Sequence, residues 1–109
     1  MTQAPAIPHA ETLLLQSLIT PTPGGIASRV LAKAAGGNVT LFAFDGGQGL
    51  TEHTTPYDAL ALVLEGRIVL TIGGKPVEAI PGSVVVMPGN VPHAVDARET
   101  SRMLLVMLK

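Results

Sequence analysis

The sequence predicts an all-β domain, a sandwich or barrel of short antiparallel strands. Three observations carry this. Gly (12 residues) and Pro (9 residues) punctuate the chain at short intervals. Between them lie short runs rich in β-branched residues. Within those runs, residues two apart are alike, the period of a strand. Turn signals about every 8–12 residues between short strands mark such folds.

The first ten residues read as a loose arm or an edge-strand extension. ETLLLQSLI (11–19) is the one helical candidate, and Pro21 and Pro23 stop it. Nine strand segments follow: 26–33, 38–44, 50–54, 60–64, 67–72, 75–80, 83–87, 93–97 and 102–108. Gly-Gly at 24–25, 36–37, 46–47 and 73–74, with Pro81-Gly82 and Pro88-Gly89, marks turns. Ile72-Gly73-Gly74-Lys75 reads as a tight hairpin, because both central positions accept positive φ. The expected organisation is an arm with a short helical turn over 1–25 and one β-domain over 26–109. No internal repeat and no linker is visible.

Residues 59, 61 and 63 are Ala, Ala and Val, whereas 60, 62 and 64 are all Leu. Both faces of this strand are apolar, one small and one bulky. The last run divides likewise into Met103, Leu105, Met107 and Leu104, Val106, Leu108. Strands apolar on both faces are covered on both faces. Leu, Val and Ile total 31 and Ala 13, and mean hydropathy is +0.44. That excess predicts a second buried surface, most simply a homodimer interface. The bulky faces Leu60/Leu62/Leu64 and Leu104/Val106/Leu108 are its candidates, with inter-sheet packing as the alternative.

The chain has 109 residues and a mass of 11.2 kDa, room for one core. Hydrophobic residues at 47% and charged residues at 14% exclude a disordered chain. No apolar run approaches the roughly 20 residues of a membrane span. MTQAPAIPHAE lacks the basic stretch and apolar core of a secretion signal, so cytoplasm is the expected compartment. Cys is absent, which removes disulfides, thiol nucleophiles and thiolate metal sites. A net charge of −1 and three aromatic residues argue against a nucleic-acid surface.

Chemistry therefore rests on few residues. His9 falls in the arm. His53 and His93 stand forty positions apart, each in a strand segment. A His in a half-apolar strand can be a hydrogen-bonded structural residue or a metal ligand. No Gly-rich run has the context of a phosphate loop, and no Ser has that of a nucleophile elbow.

Residues 47–66 read GQGLTEHTTPYDALALVLEG, and residues 82–93 read GSVVVMPGNVPH. These resemble, in order and with a typical gap, the two signature motifs of the cupin superfamily, small barrels of jelly-roll type. Gly47, His53 and Gly66 match the first motif; Gly82, Pro88 and His93 match the second. The resemblance covers about residues 38–108 and implies a cupin-type jelly-roll barrel. Complete cupin sites give a metal three His and one Glu. Here Thr55 stands at the second His position and Ala59 at the Glu position. Asn90 replaces the second motif's Gly, and Ala97 its Asn. The resemblance leaves His53 and His93 as the metal ligands, for Fe, Mn, Ni, Cu or Zn. Asp58 is one residue out of phase and should point to the opposite face. Glu52 meets the same objection.

Two functional readings follow. In the first, the barrel binds a small molecule in a cavity lined by His53, Thr55, Ala59, Ala61, Met87, His93 and Met103. Its two-His metal site is then degenerate. The same Ala and Met residues also fit an ordinary packed core. In the second, the protein is a metal-dependent enzyme of dioxygenase or isomerase type using His53 and His93. An inert structural dimer is a third expectation. The partners expected are a second copy and a small molecule, with neither nucleic acid nor membrane.

Overall fold

All nine strand segments form strands in the computed structural model, with ends within two residues of those read from the sequence. The structure describes residues 7–109. In chain order the strands are β1 (Ile26–Ala34), β2 (Gly37–Phe44), β3 (Gly49–His53), β4 (Asp58–Glu65) and β5 (Ile68–Ile72), then β6 (Lys75–Ala79), β7 (Val84–Met87), β8 (His93–Ala97) and β9 (Ser101–Leu108). They make a five-stranded sheet, β1-β2-β9-β4-β7, and a four-stranded sheet, β3-β8-β5-β6. Every pairing is antiparallel. After β2 the chain passes repeatedly between sheets, and the last strand lies in the middle of the first sheet. This is the jelly-roll topology.

The alternation decides which residues enter the core. Ala59, Ala61 and Val63 are buried, while Leu60, Leu62 and Leu64 on the other face are half-buried. The small face of β4 meets Phe44, Ile68, Leu70, Met87 and Met103 between the sheets. Small residues on one wall let bulky ones from the opposite wall interdigitate at interior density. The β5–β6 hairpin has φ of +56° at Gly73 and +81° at Gly74, as a two-residue turn of this hand requires.

One end of the barrel, its base, is closed by Ser101 and Gly66. Ser101 is fully buried. Its hydroxyl donates to Glu99 O at 2.7 Å and accepts the Arg67 N–H at 3.0 Å. Gly66 has φ +83°, and a Cβ there would collide with Ser101 Oγ and the Thr100 carbonyl.

The helix expected over 11–19 is reduced to one 3-10 turn, Leu15–Ser17. The segment beyond it lies across the outer face of the five-stranded sheet. Ile19 is buried there with Leu41 and Ala43, and Leu18, Leu31, Leu64 and Leu104 pack against this cluster. Arg29 Nη1 donates to the Leu18 carbonyl at 3.1 Å, and Arg102 Nε donates to the Ile19 carbonyl at 3.3 Å. Covering the sheet buries more apolar surface than a short isolated helix, which is marginal on its own. The arm expected over residues 1–10 lies outside the described residues as far as residue 6.

Candidate metal and ligand site at the barrel mouth

The end opposite the base is built by three chain connections: 54–57, 73–74 and 88–92. The Asn90 N–H donates to the Thr55 carbonyl at 2.7 Å, and the Gly73 N–H to the Pro92 carbonyl at 2.8 Å. The Gly89 N–H donates to Asp58 Oδ1 at 2.8 Å. A Cβ at Gly89 would lie 2.6 Å from the Pro56 carbonyl oxygen, so only glycine permits this approach. Asn90 has φ +65°. The departure from Gly at this position is therefore physically conservative, since Asn is among the residues that tolerate this region best.

His53 ends β3 and His93 opens β8, and the register makes them direct cross-strand partners. An irregularity between Leu50 and His53 adjusts that register. Their rings stand edge to face with centroids 4.4 Å apart. His93 Nε2 lies 3.1 Å from His53 Nε2. His93 is 4% exposed, whereas His53 is exposed to solvent. The pair therefore reaches from the wall of the barrel to its rim.

The other ring nitrogens settle the tautomers. His53 Nδ1 is 2.8 Å from the Thr51 carbonyl oxygen, and His93 Nδ1 is 3.2 Å from that of Val91. A carbonyl only accepts, so each Nδ1 carries a hydrogen and donates it. Each neutral ring then presents a bare Nε2 lone pair, and the two converge. Lone pairs at this distance need a shared proton or a cation between them. Nδ1–H donation to a carbonyl with Nε2 left open is the arrangement of a metal-ligating His.

The fold family implies a metal, and this geometry tests the fit. Two imidazoles each about 2.0–2.1 Å from one first-row divalent ion bring their nitrogens to about 3 Å when they bind side by side. The observed 3.1 Å meets that condition. The donor set is half the family's. Among the described residues no group of three or more His, Asp or Glu is placed to hold a metal. Asp58 is taken by Gly89, and the Thr55 hydroxyl donates to the Tyr57 carbonyl at 3.2 Å.

The remaining residues expected at the cavity divide in two. Thr55 is half-buried at the mouth. Ala59, Ala61, Met87 and Met103 lie in the buried cluster between the sheets. Ala59 and Met87 are cross-strand partners, placed where β4 and β7 leave the mouth connections. Sequence reasoning missed the Gly89–Asp58 clamp, although Pro56 and the Pro88-Gly89-Asn90 turn signalled that both connections are tightly bent.

A jelly roll with paired imidazoles at one end defines a small barrel protein with a two-histidine mouth. Residues 40–109 match the family model of the cupin domain, and the chain belongs to the cupin family. Among solved structures it is similar to a conserved protein of unknown function from Streptococcus pyogenes, with 33% identity and a TM-score of 0.91 over 100% of this chain and 96% of that one. It is similar also to a cupin superfamily protein from Desulfitobacterium hafniense, with 27% identity and a TM-score of 0.89 over 98% of both chains. KdgF from Halomonas sp., at 24% identity, TM-score 0.73 and coverage of 79% of this chain and 81% of that one, shares the fold. No curated protein matches the chain. Among the described residues no helix is long and apolar enough to cross a membrane.

Proposed function

We propose that this cupin binds a small molecule at the mouth of its barrel, through a divalent metal ion held by His53 and His93. The observation that carries this is the 3.1 Å approach of two Nε2 atoms whose Nδ1 partners are both committed to backbone carbonyls. When bound, a first-row divalent ion supplies Lewis-acid polarisation of a ligand oxygen. The chain's own groups do the rest. The Thr51 and Val91 carbonyls fix both rings before any ligand arrives. His93 anchors the site from inside and His53 closes it from the rim. Thr55 and Ala59 supply no protein donor where complete cupins have two, so ligand and water complete the ion's coordination. Ala59 and Met87, cross-strand partners at the mouth end of β4 and β7, are buried in the core cluster there.

The test is metal content by mass spectrometry on protein purified without a polyhistidine tag, with melting temperatures in Zn2+, Ni2+, Mn2+, Fe2+ and Cu2+. An ion that binds only the folded state at about one hundred times its Kd adds about 2.7 kcal/mol. The expected result is a rise in melting temperature with at least one ion, lost in His53→Ala and in His93→Ala. Absence of any bound ion and of any such rise would overturn the proposal.

A further inference from the structure

The two sheets stack in one order. Short connections at the base join β2 to β3, β4 to β5, β6 to β7 and β8 to β9, and each pair holds matching places in the two sheets. The run β2-β9-β4-β7 therefore lies over β3-β8-β5-β6, and β1 overhangs beyond β2. The overhang leaves the inner face of β1 open. Ile26, Ser28 and Val30 are exposed there, whereas their partners Phe44, Phe42 and Thr40 on β2 are buried or half-buried.

At the mouth end one register row crosses the inner face of the larger sheet: Lys33, Asn38, Met107, Ala59 and Met87. Ala59 and Met87 belong to the buried cluster between the sheets, which fixes the side this row faces. The matching row of the smaller sheet is His53, His93, Ile72 and Lys75. The stacking sets Asn38 over His53, with Lys33 one strand further out. Strands lie about 4.8 Å apart and stacked sheets about 10 Å. A lysine's four-carbon stem covers the lateral step, and the gap between the walls takes a small molecule. Gly37 holds this end of β2 hard against β9, since a Cβ there would stand 2.1 Å from the Met107 carbonyl oxygen.

Both polar groups of this wall offer hydrogens. The ion pairs among the described residues are Arg67–Glu78 and Arg102–Glu65, so Lys33 has no carboxylate partner there. Asn38 Oδ1 accepts the Thr40 hydroxyl at 3.4 Å, which leaves the amide NH2 to donate elsewhere. Neither row contains an acid. Asp58 stands opposite Leu108 on the outer face and accepts from Gly89, and Glu52 falls in the irregularity of β3 before His53.

We propose that the molecule bound at the mouth is a small organic carboxylate, read by Lys33 and Asn38 across from His53. This rests on the ligand-binding reading above and gives it a substrate class. Two donors, one of them cationic, in a field without acids select an anion. The ammonium acts as a point charge and the amide NH2 as a directed donor. Phosphate sites draw on backbone N–H groups at a helix N-terminus, and the one helical turn among the described residues lies in the segment before β1, away from this wall. A carboxylate is satisfied by the side chains alone.

The experiment is calorimetric titration of the full chain with succinate, with neutral succinamide and with inorganic phosphate, each with and without the divalent ion. Succinate should bind more tightly than either comparison in both states, because Lys33 and Asn38 belong to the chain and not to the ion. Lys33→Met keeps the stem and loses the charge, and should weaken succinate about fivefold. Lys33→Arg should restore it. Asn38→Asp, nearly isosteric, sets a like charge against the ligand and should cost about tenfold or more. Lys75→Met, at the far end of the facing row, should leave the affinity unchanged. All four variants should keep the parent's circular dichroism spectrum. Succinamide or phosphate binding as tightly as succinate would overturn the proposal, as would no succinate binding in either state. So would a loss in Lys75→Met equal to that in Lys33→Met. Succinate selectivity in a protein that takes up no ion would sink the metal reading and leave this one standing. An ion bound without succinate selectivity would do the opposite.

Discussion

The base and the mouth of the barrel use the same strands and end in opposite ways. At the base every polar group named closes on another. Ser101 joins Arg67 to Glu99, the Gly47 N–H meets the Ala97 carbonyl at 2.9 Å, and the Arg98 N–H meets that of Arg67 at 2.9 Å. At the mouth two imidazole nitrogens approach to 3.1 Å, a pair that a shared proton or a bound cation joins. The contrast teaches that this chain closes its polar groups at one end and gathers its two imidazoles at the other.

The sharpest way to break that contrast is Gly66→Ala. Its Cβ would enter Ser101 Oγ and the Thr100 carbonyl at a φ of +83°. Left-handed strain and overpacking together cost about 3 kcal/mol or more, a melting-temperature fall on the order of 15 °C. Ion binding at the mouth should persist in whatever protein folds. Ser101→Ala comes next. It leaves the Arg67 N–H without its acceptor in a fully buried place, a loss of about 1–3 kcal/mol measurable by urea unfolding. His53→Ala should do the reverse. With no ion its stability should stay within about 0.5 kcal/mol of the parent, as for other exposed sites, while the ion-induced rise disappears. A large loss of ion-free stability in His53→Ala would erase the distinction between the ends.

The smallest effect belongs to the exposed Arg67–Glu78 pair. The hydrogen bond from Arg67, and then its charge, hold the Glu78 carboxyl below its ordinary 4.5. A lowered folded value means the pair stabilises above that ordinary value and loses its contribution as pH falls through the lowered one. Both side chains are about half exposed, so water screens the pair. Glu78→Gln should lower the thermal melt at pH 7 only slightly, and its stability should converge on the parent's as pH falls below the carboxylate range, where Glu78 is neutral too.

Most of the fold was legible because its signals are local. Gly73-Gly74 can make few turns but a tight hairpin, and Ala59-Leu60-Ala61-Leu62 fixes which face goes in. Of the bulky faces expected at a homodimer interface, Leu64 and Leu104 pack instead against the cluster that holds Ile19 of the arm. The short helical turn expected within 11–19 narrows to Leu15–Ser17 for a tertiary reason. Leu18 and Ile19 have apolar partners only across the sheet, and no periodicity within the segment reveals them. The meeting of His53 and His93 followed from the two motifs, since residues forty apart carry no local sign of pairing. The two carbonyl bonds that set their tautomers were invisible in sequence, because any residue at 51 or 91 supplies a carbonyl.

The same reasoning applies to the arm. Arg29 and Arg102 fasten it by main-chain oxygens of Leu18 and Ile19. Those acceptors survive any replacement at 18 or 19, so relatives can vary the letters there freely within greasy limits while the strap keeps its route. Loss of either guanidinium, in contrast, would unfasten it whatever letters it bears.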